Sequence, residues 1–179
     1  IMIVNNYHLM KKAVELKNTP LSVEMILDLH RIATSNAIEN KAEPGQFRRD
    51  DEIFIADNDG NSLYQPPPHG QVHTLMEAVC TFANNTYDGS ENPFIHPVVQ
   101  AIILHFLIGY IHPFGDGNGR TARALFYWFM LKNGYWLFEY ISISRLLKNA
   151  PAQYAKSYLH AETDDLDLTY FIYYQCDII

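Results

Sequence analysis

HPVVQAIILHFLIGYIHPFGDGNGRTARALFYWFMLKNG, residues 96–134, decides the architecture. Its first part, HPVVQAIILHFLIGYI (96–111), is apolar on nearly all sides, the pattern of a buried central helix. Pro113 ends it. The last part, GRTARALFYWFMLKNG (119–134), reads as an amphipathic helix closed by Gly134. Between the two lies a loop whose composition a tight turn does not explain. His112, Asp116, Arg120 and Arg123 are packed around Gly115, Gly117 and Gly119.

The chemistry of that loop follows from its position. Gly117 and Gly119 fall where the second helix begins. A helix start presents unpaired N–H groups and a partial positive charge, and glycine lets a phosphate approach the backbone. Arg120 and Arg123 are three apart and share a face, so two guanidinium forks stand beside free amides, an arrangement suited to a polyphosphate. Asp116 is placed to hold Mg²⁺ against those phosphates, because Mg²⁺ favours carboxylate plus phosphate oxygens. Asn118 can hydrogen-bond within the loop and fix its shape. His112, neutral for a useful fraction near pH 7, is suited to take a proton from an attacking hydroxyl.

Outward from this centre the chain stays mainly helical. Residues 3–16 and the segment TPLSVEMILDLHRIAT (19–34) read as helices, the second with Thr19 as cap and Pro20 at its first position. Val23, Ile26, Leu27 and His30 share one face of it. NAIENKAEPGQFRRD (36–50) is loop, punctuated by Pro44 and Gly45. Ile53, Phe54 and Ile55 form a β-prone run before the turn signal DNDGN, so one β-hairpin is expected there, ended by Pro66–Pro68. A helix follows over 69–87, and three shorter ones are expected near 142–148, 151–162 and 167–179. The Tyr/Phe-rich stretch 170–174 reads as core packing.

Bulk properties narrow the function. The 179 residues suit one domain, and 48% apolar with 18% charged content supports a full core. A net charge of −7 argues against general nucleic-acid binding. Cys80 and Cys176 read as buried, reduced thiols. No stretch has the apolar length of a membrane span and no signal-peptide pattern is present, so a cytoplasmic protein with no membrane partner is expected. The opening Ile1 and an apolar helical end without a stop signal suggest a piece cut from a longer chain at both ends. His69 and His73 are four apart, and His105 and His112 two turns apart, but neither pair has a supporting carboxylate or cysteine for zinc.

Residues 112–123 resemble the signature of the Fic (Fic/Doc) family, His-Pro-Phe-x-Asp/Glu-Gly-Asn-Gly-Arg-x-x-Arg, at His112, Pro113, Phe114, Asp116, Gly117, Asn118, Gly119, Arg120 and Arg123. LHRIAT…PGQFRRDDEIFI resembles that family's helix, loop and flap. The resemblance implies a mainly α fold, a Fic-type helical bundle with one β-hairpin flap over a single domain, residues 1–179. It also implies transfer of AMP from ATP to a Ser, Thr or Tyr hydroxyl of a protein. Self-modification is a further expectation, and the net charge of −7 gives no expectation of direct nucleic-acid binding by this domain. Carried over by position, His112 is the base, Asp116 binds Mg²⁺, Gly117–Gly119 cradle the anion, and Arg120 and Arg123 hold phosphates. The hairpin at Ile53, Phe54 and Ile55 becomes a target-docking edge, and Tyr154 with Tyr158 candidate adenine contacts, with core packing as the alternative.

Relatives in which Ala and Lys replace the loop glycines act as kinases, and others transfer phosphocholine; Gly117 and Gly119 argue against both. A regulatory module attached to a winged-helix DNA-binding part is the third reading. SNAIEN (35–40) matches the family's inhibitory pattern Ser/Thr-x-x-x-Glu-Gly/Asn, which would make Glu39 an inhibitor. Its place, between the second helix and the flap, favours coincidence, and an inhibitory helix is expected upstream of Ile1 instead.

Overall fold

The computed structural model describes residues 2–35, 43–53, 55–56, 62–140, 158, 161 and 165–179. The chain is mainly α, as the hydrophobic spacing predicts. The first two helices are α1 (Met2–Leu16) and α2 (Val23–Thr34). Strands β1 (Ile55–Ala56) and β2 (Ser62–Tyr64) pair antiparallel, Ile55 opposite Tyr64 and Ala56 opposite Ser62, with an irregularity between Ile55 and Ala56. Then come α3 (His69–Asn84), α4 (Pro97–Ile111), α5 (Asn118–Lys132), a 3₁₀ turn at Trp136–Glu139 and a last helix, Thr169–Ile178. Phe54, Glu39 and Tyr154, and the helix expected at 142–148, lie outside the described residues. Of the expected helix over 151–162 only Tyr158 and Ala161 are described, both helical.

The start of α2 differs from expectation, and a tertiary contact explains it. Leu21 is buried, its N–H donates to Asn84 Oδ1 at 2.8 Å, and its carbonyl accepts from Asn84 Nδ2 at 2.8 Å. Both backbone groups are thereby held by α3 and are withdrawn from helical bonding. Ser22, not Thr19, is the cap: its side chain accepts from the Met25 N–H at 3.2 Å.

The expected centre also shifts. α4 is largely buried, but α5 is the more enclosed helix, with every residue from Ala124 to Leu131 buried. It packs on α1, α2, α4 and the 3₁₀ turn, and Trp128 Nε1 donates to the Leu16 carbonyl at 2.9 Å. From Ala124 to Leu131 helix α5 is therefore not amphipathic in its environment, because neighbours close every side of that stretch. Its end follows the sequence signal. Gly134 has φ +85°, its N–H reaches the Leu131 carbonyl at 3.1 Å, and the Tyr135 N–H reaches Met130 at 3.0 Å, a Schellman closure.

Both cysteines are free, but only Cys80 is buried, which pushes its thiol up to about 11; Cys176 is exposed, contrary to expectation. In the last helix Phe171 is buried while Tyr170 and Tyr173 face solvent, so the aromatic stretch packs along one side alone. Among the described residues no helix is long and apolar enough to cross a membrane.

Candidate active site

The loop joining α4 to α5 carries the site, and its shape is over-determined by hydrogen bonds. Asn118 is buried and bridges back across the loop: its Oδ1 accepts from the Phe114 N–H at 2.9 Å and its Nδ2 donates to the Phe114 carbonyl at 2.7 Å. That side chain is thus committed to loop shape, leaving its backbone N–H, in the first turn of α5, as the group to face an anion. Gly117 precedes the helix with φ +84°, a conformation L side chains rarely adopt. A Cβ there would also stand 2.5 Å from Thr34 Cγ2, so the position admits glycine alone. The first intrahelical bond of α5 is Thr121 N–H to the Gly117 carbonyl at 3.0 Å. The preceding first-turn amides, Asn118 to Arg120, have no partner within the helix.

His112 caps α4 in the left-handed region, φ 49° and ψ 57°. That conformation in a non-glycine residue costs about 1–3 kcal/mol, and such strain gathers at functional sites. Its Nδ1 lies 3.2 Å from the Gly109 carbonyl. A carbonyl only accepts, so Nδ1 carries the proton and Nε2 keeps its lone pair. Burial holds the imidazole below its ordinary pKa, only partly offset by the Gly109 bond, with the Arg48 guanidinium pushing the same way as burial. The ring is neutral at pH 7 and basic at Nε2.

The charged partners separate. Asp116 Oδ2 accepts from Arg120 Nη2 at 2.8 Å, and Asp116 Oδ1 accepts from the Gly117 N–H at 2.5 Å. Arg120 Nη1 also donates to the Ala33 carbonyl at 3.2 Å, turning its fork toward α2. Arg123 lies beside Gly119, whose added Cβ would meet its Nη1 at 3.3 Å. The two arginines, three apart in sequence, therefore differ: Arg123 stands over the glycine, and Arg120 braces Asp116.

Tyr158 packs rather than standing free. Its ring stacks on Phe106 at 5.2 Å and meets Phe171 edge-on at 4.7 Å, and its hydroxyl donates to the His105 carbonyl at 3.3 Å. It covers Gly109, where a Cβ would come within 2.5 Å of its hydroxyl. In the hairpin, the Ile53 carbonyl accepts from Gln65 Nε2 at 3.2 Å, and the Tyr64 hydroxyl donates to the Tyr110 carbonyl at 3.1 Å, two residues before His112.

Two residues to which the sequence reading gives no role in the site support the loop. His30 is fully buried and stacked on Phe114 at 3.7 Å. Its Nδ1 accepts from the Gly45 N–H at 2.9 Å, which leaves Nε2–H to donate to the Asp116 carbonyl at 2.8 Å. Burial lowers its pKa, in keeping with that neutral tautomer. Its signal was a polar residue on the apolar stripe of α2. Arg48, in the loop segment GQFRRD, is the other, and its Nε donates to the His112 carbonyl at 2.9 Å.

A family model described as the Fic/DOC family matches residues 20–130. The protein adenylyltransferase Fic of Drosophila willistoni is 32% identical over 115 residues, 64% of this chain and 20% of that protein. The chain thus spans about a fifth of the length of the curated relatives it matches. A crystal structure of a Fic family protein from Desulfovibrio desulfuricans G20 superposes with a TM-score of 0.76 at 22% identity, over 97% of this chain and 50% of that one, a likeness of fold. Fic-1 from C. elegans gives a TM-score of 0.65 at 26% identity, over 95% of this chain and 46% of that one.

Proposed function

The chain belongs to the Fic/DOC family, and from that premise we propose that it transfers AMP from ATP to a Ser, Thr or Tyr hydroxyl of a protein. The observation that carries this reading is His112, held as the neutral Nδ1–H tautomer in the loop that leads into the first turn of α5. Its Nε2 takes the proton of the target hydroxyl as that oxygen attacks the α-phosphorus. The bond from the α-phosphorus to the pyrophosphate oxygen breaks, and pyrophosphate leaves in line. The amides of Asn118 to Arg120 and the Arg123 guanidinium receive charge that builds on the phosphate oxygens. Gly119 puts no side chain beside the Arg123 guanidinium, where an added Cβ would stand 3.3 Å from Nη1, and this favours the α-phosphate over the kinase alternative.

Asp116 is the residue that would hold Mg²⁺. Among the described residues no group of three or more His, Cys, Asp or Glu side chains forms a metal cage. One carboxylate with phosphate oxygens and water is nevertheless a donor set that Mg²⁺ accepts, so the ion fits as a companion of the nucleotide. When bound, it neutralises charge on the phosphate oxygens. Ile53 and strand β1 (Ile55–Ala56) supply backbone groups able to pair with an extended target segment, which reads backbone and leaves the target's identity open.

Incubation with ATP labelled at the α or the γ position, with a cell extract, tests the assignment. Protein label from α alone is expected. Label from γ alone would establish a kinase, and label from neither a nucleotide-sensing module, as in a chain joined to a DNA-binding part.

A further inference from the structure

Arg48 lies outside every helix and strand, yet its side chain is only 2% exposed. A buried cation needs a ring of acceptors, and Arg48 has one drawn from three places in the chain. Its Nε donates to the His112 carbonyl at 2.9 Å, and its backbone N–H to the Pro113 carbonyl at 2.9 Å. Its Nη1 donates to the Asp50 carbonyl at 2.9 Å and to Asp51 Oδ1 at 2.8 Å. Its Nη2 donates to the Pro67 carbonyl. Asp50 and Asp51 lead into β1, and Pro67 follows β2. Both roots of the hairpin therefore converge on one guanidinium, whose remaining edge rests on the residue proposed as base.

We infer that Arg48 is a positioning residue that sets the hairpin's docking edge relative to His112. This role rests on the proposed reading of His112 as base and the hairpin as docking edge. A strand edge that recognises only backbone places the target along one line, so the distance from that line to the base is left to the scaffold. Misplacement by about 1 Å can cost roughly 100-fold in rate. A guanidinium suits the task because its donors are fixed in one plane and span several carbonyls, whereas the single ammonium nitrogen of lysine cannot. Further contacts hold the same roots: Asp51 accepts the His69 N–H at 2.6 Å through Oδ1 and meets His69 Nδ1 at 3.1 Å through Oδ2, Gln65 Nε2 donates to the Ile53 carbonyl at 3.2 Å, and the Tyr64 hydroxyl donates to the Tyr110 carbonyl.

The test compares Arg48→Lys, which keeps the charge and loses the fork, with Asp51→Asn, which loosens one root at a half-exposed site and leaves the guanidinium in place. Both are measured in transfer kinetics and in amide exchange at Ile55, Ala56 and Ser62–Tyr64. For Arg48→Lys the expected result is a kcat for protein modification lowered about tenfold or more, with KM for ATP changed by less than about twofold. The hairpin amides should exchange about tenfold faster while those of α4 and α5 do not change. Asp51→Asn should show the same pattern at about a few-fold. Hairpin exchange equal to wild type in both variants, or a loss confined to KM for ATP, overturns the positioning role. Failure of wild-type protein to transfer the α label would instead overturn the functional reading, and the exchange result judges the Arg48 clamp independently of it.

Discussion

At the scale of single residues, the proposed chemistry turns on which nitrogen of His112 is free. The Gly109 carbonyl places the proton on Nδ1, and burial lowers the pKa below the usual 6.5. Protonation at acid pH removes the base, so the transfer rate should rise with pH through that lowered pKa and level off before neutrality. An acid limb centred above pH 6.5 would contradict the tautomer and its environment. His112→Ala should reduce AMP transfer by about 10²–10⁴-fold, with ATP affinity by calorimetry little altered. Equal loss of binding and transfer would remove the base role. The motif residues were legible because they lie within twelve positions of one another. His30 and Arg48 were not, since their partners Asp116 and His112 are 86 and 64 residues away.

At the scale of elements, helix ends separate local signal from tertiary override. Gly134 closes α5 as its sequence position suggests, because a Schellman closure is made from residues within one turn. Thr19 and Pro20 give an equally good local signal for the start of α2, yet the helix begins after Ser22. Asn84 on α3 occupies the backbone groups of Leu21 and holds that residue out of the helix. Ser22→Ala should therefore lower stability by about 1 kcal/mol in denaturant unfolding, while Thr19→Ala should have almost no effect. The reverse order would restore the earlier helix start.

At the scale of the whole molecule, buried histidines link stability to pH. His30 and His105 are buried in the folded chain, with pKa values pushed down by burial, that of His105 to about 3. Unfolding returns each to its usual 6.5. Above that value both states are neutral and the contribution is complete. Below it the unfolded chain binds protons that the folded chain refuses, so stability falls as the pH falls, until each histidine reaches its folded pKa. The slope approaches about 1.4 kcal/mol per pH unit for each such histidine. The melting temperature should accordingly drop between pH 7 and pH 5; a constant or rising value would contradict neutral burial.

The sequence by itself determined the helical class, the placing of α4 and α5, the glycine-lined turn between them and the family that this turn marks. These features depend on residues close in the chain, where periodicity and spacing are sufficient. Tertiary structure alone decided that α5 is the enclosed helix, that Arg120 turns to Asp116 while Arg123 lies beside Gly119, and that Tyr158 packs on Phe106. It alone also brought His30 under the loop and joined both hairpin roots to His112 through Arg48. Burial and hydrogen-bond satisfaction are properties of neighbours in space, and a side chain's local spacing does not specify which distant carbonyl or ring will complete it.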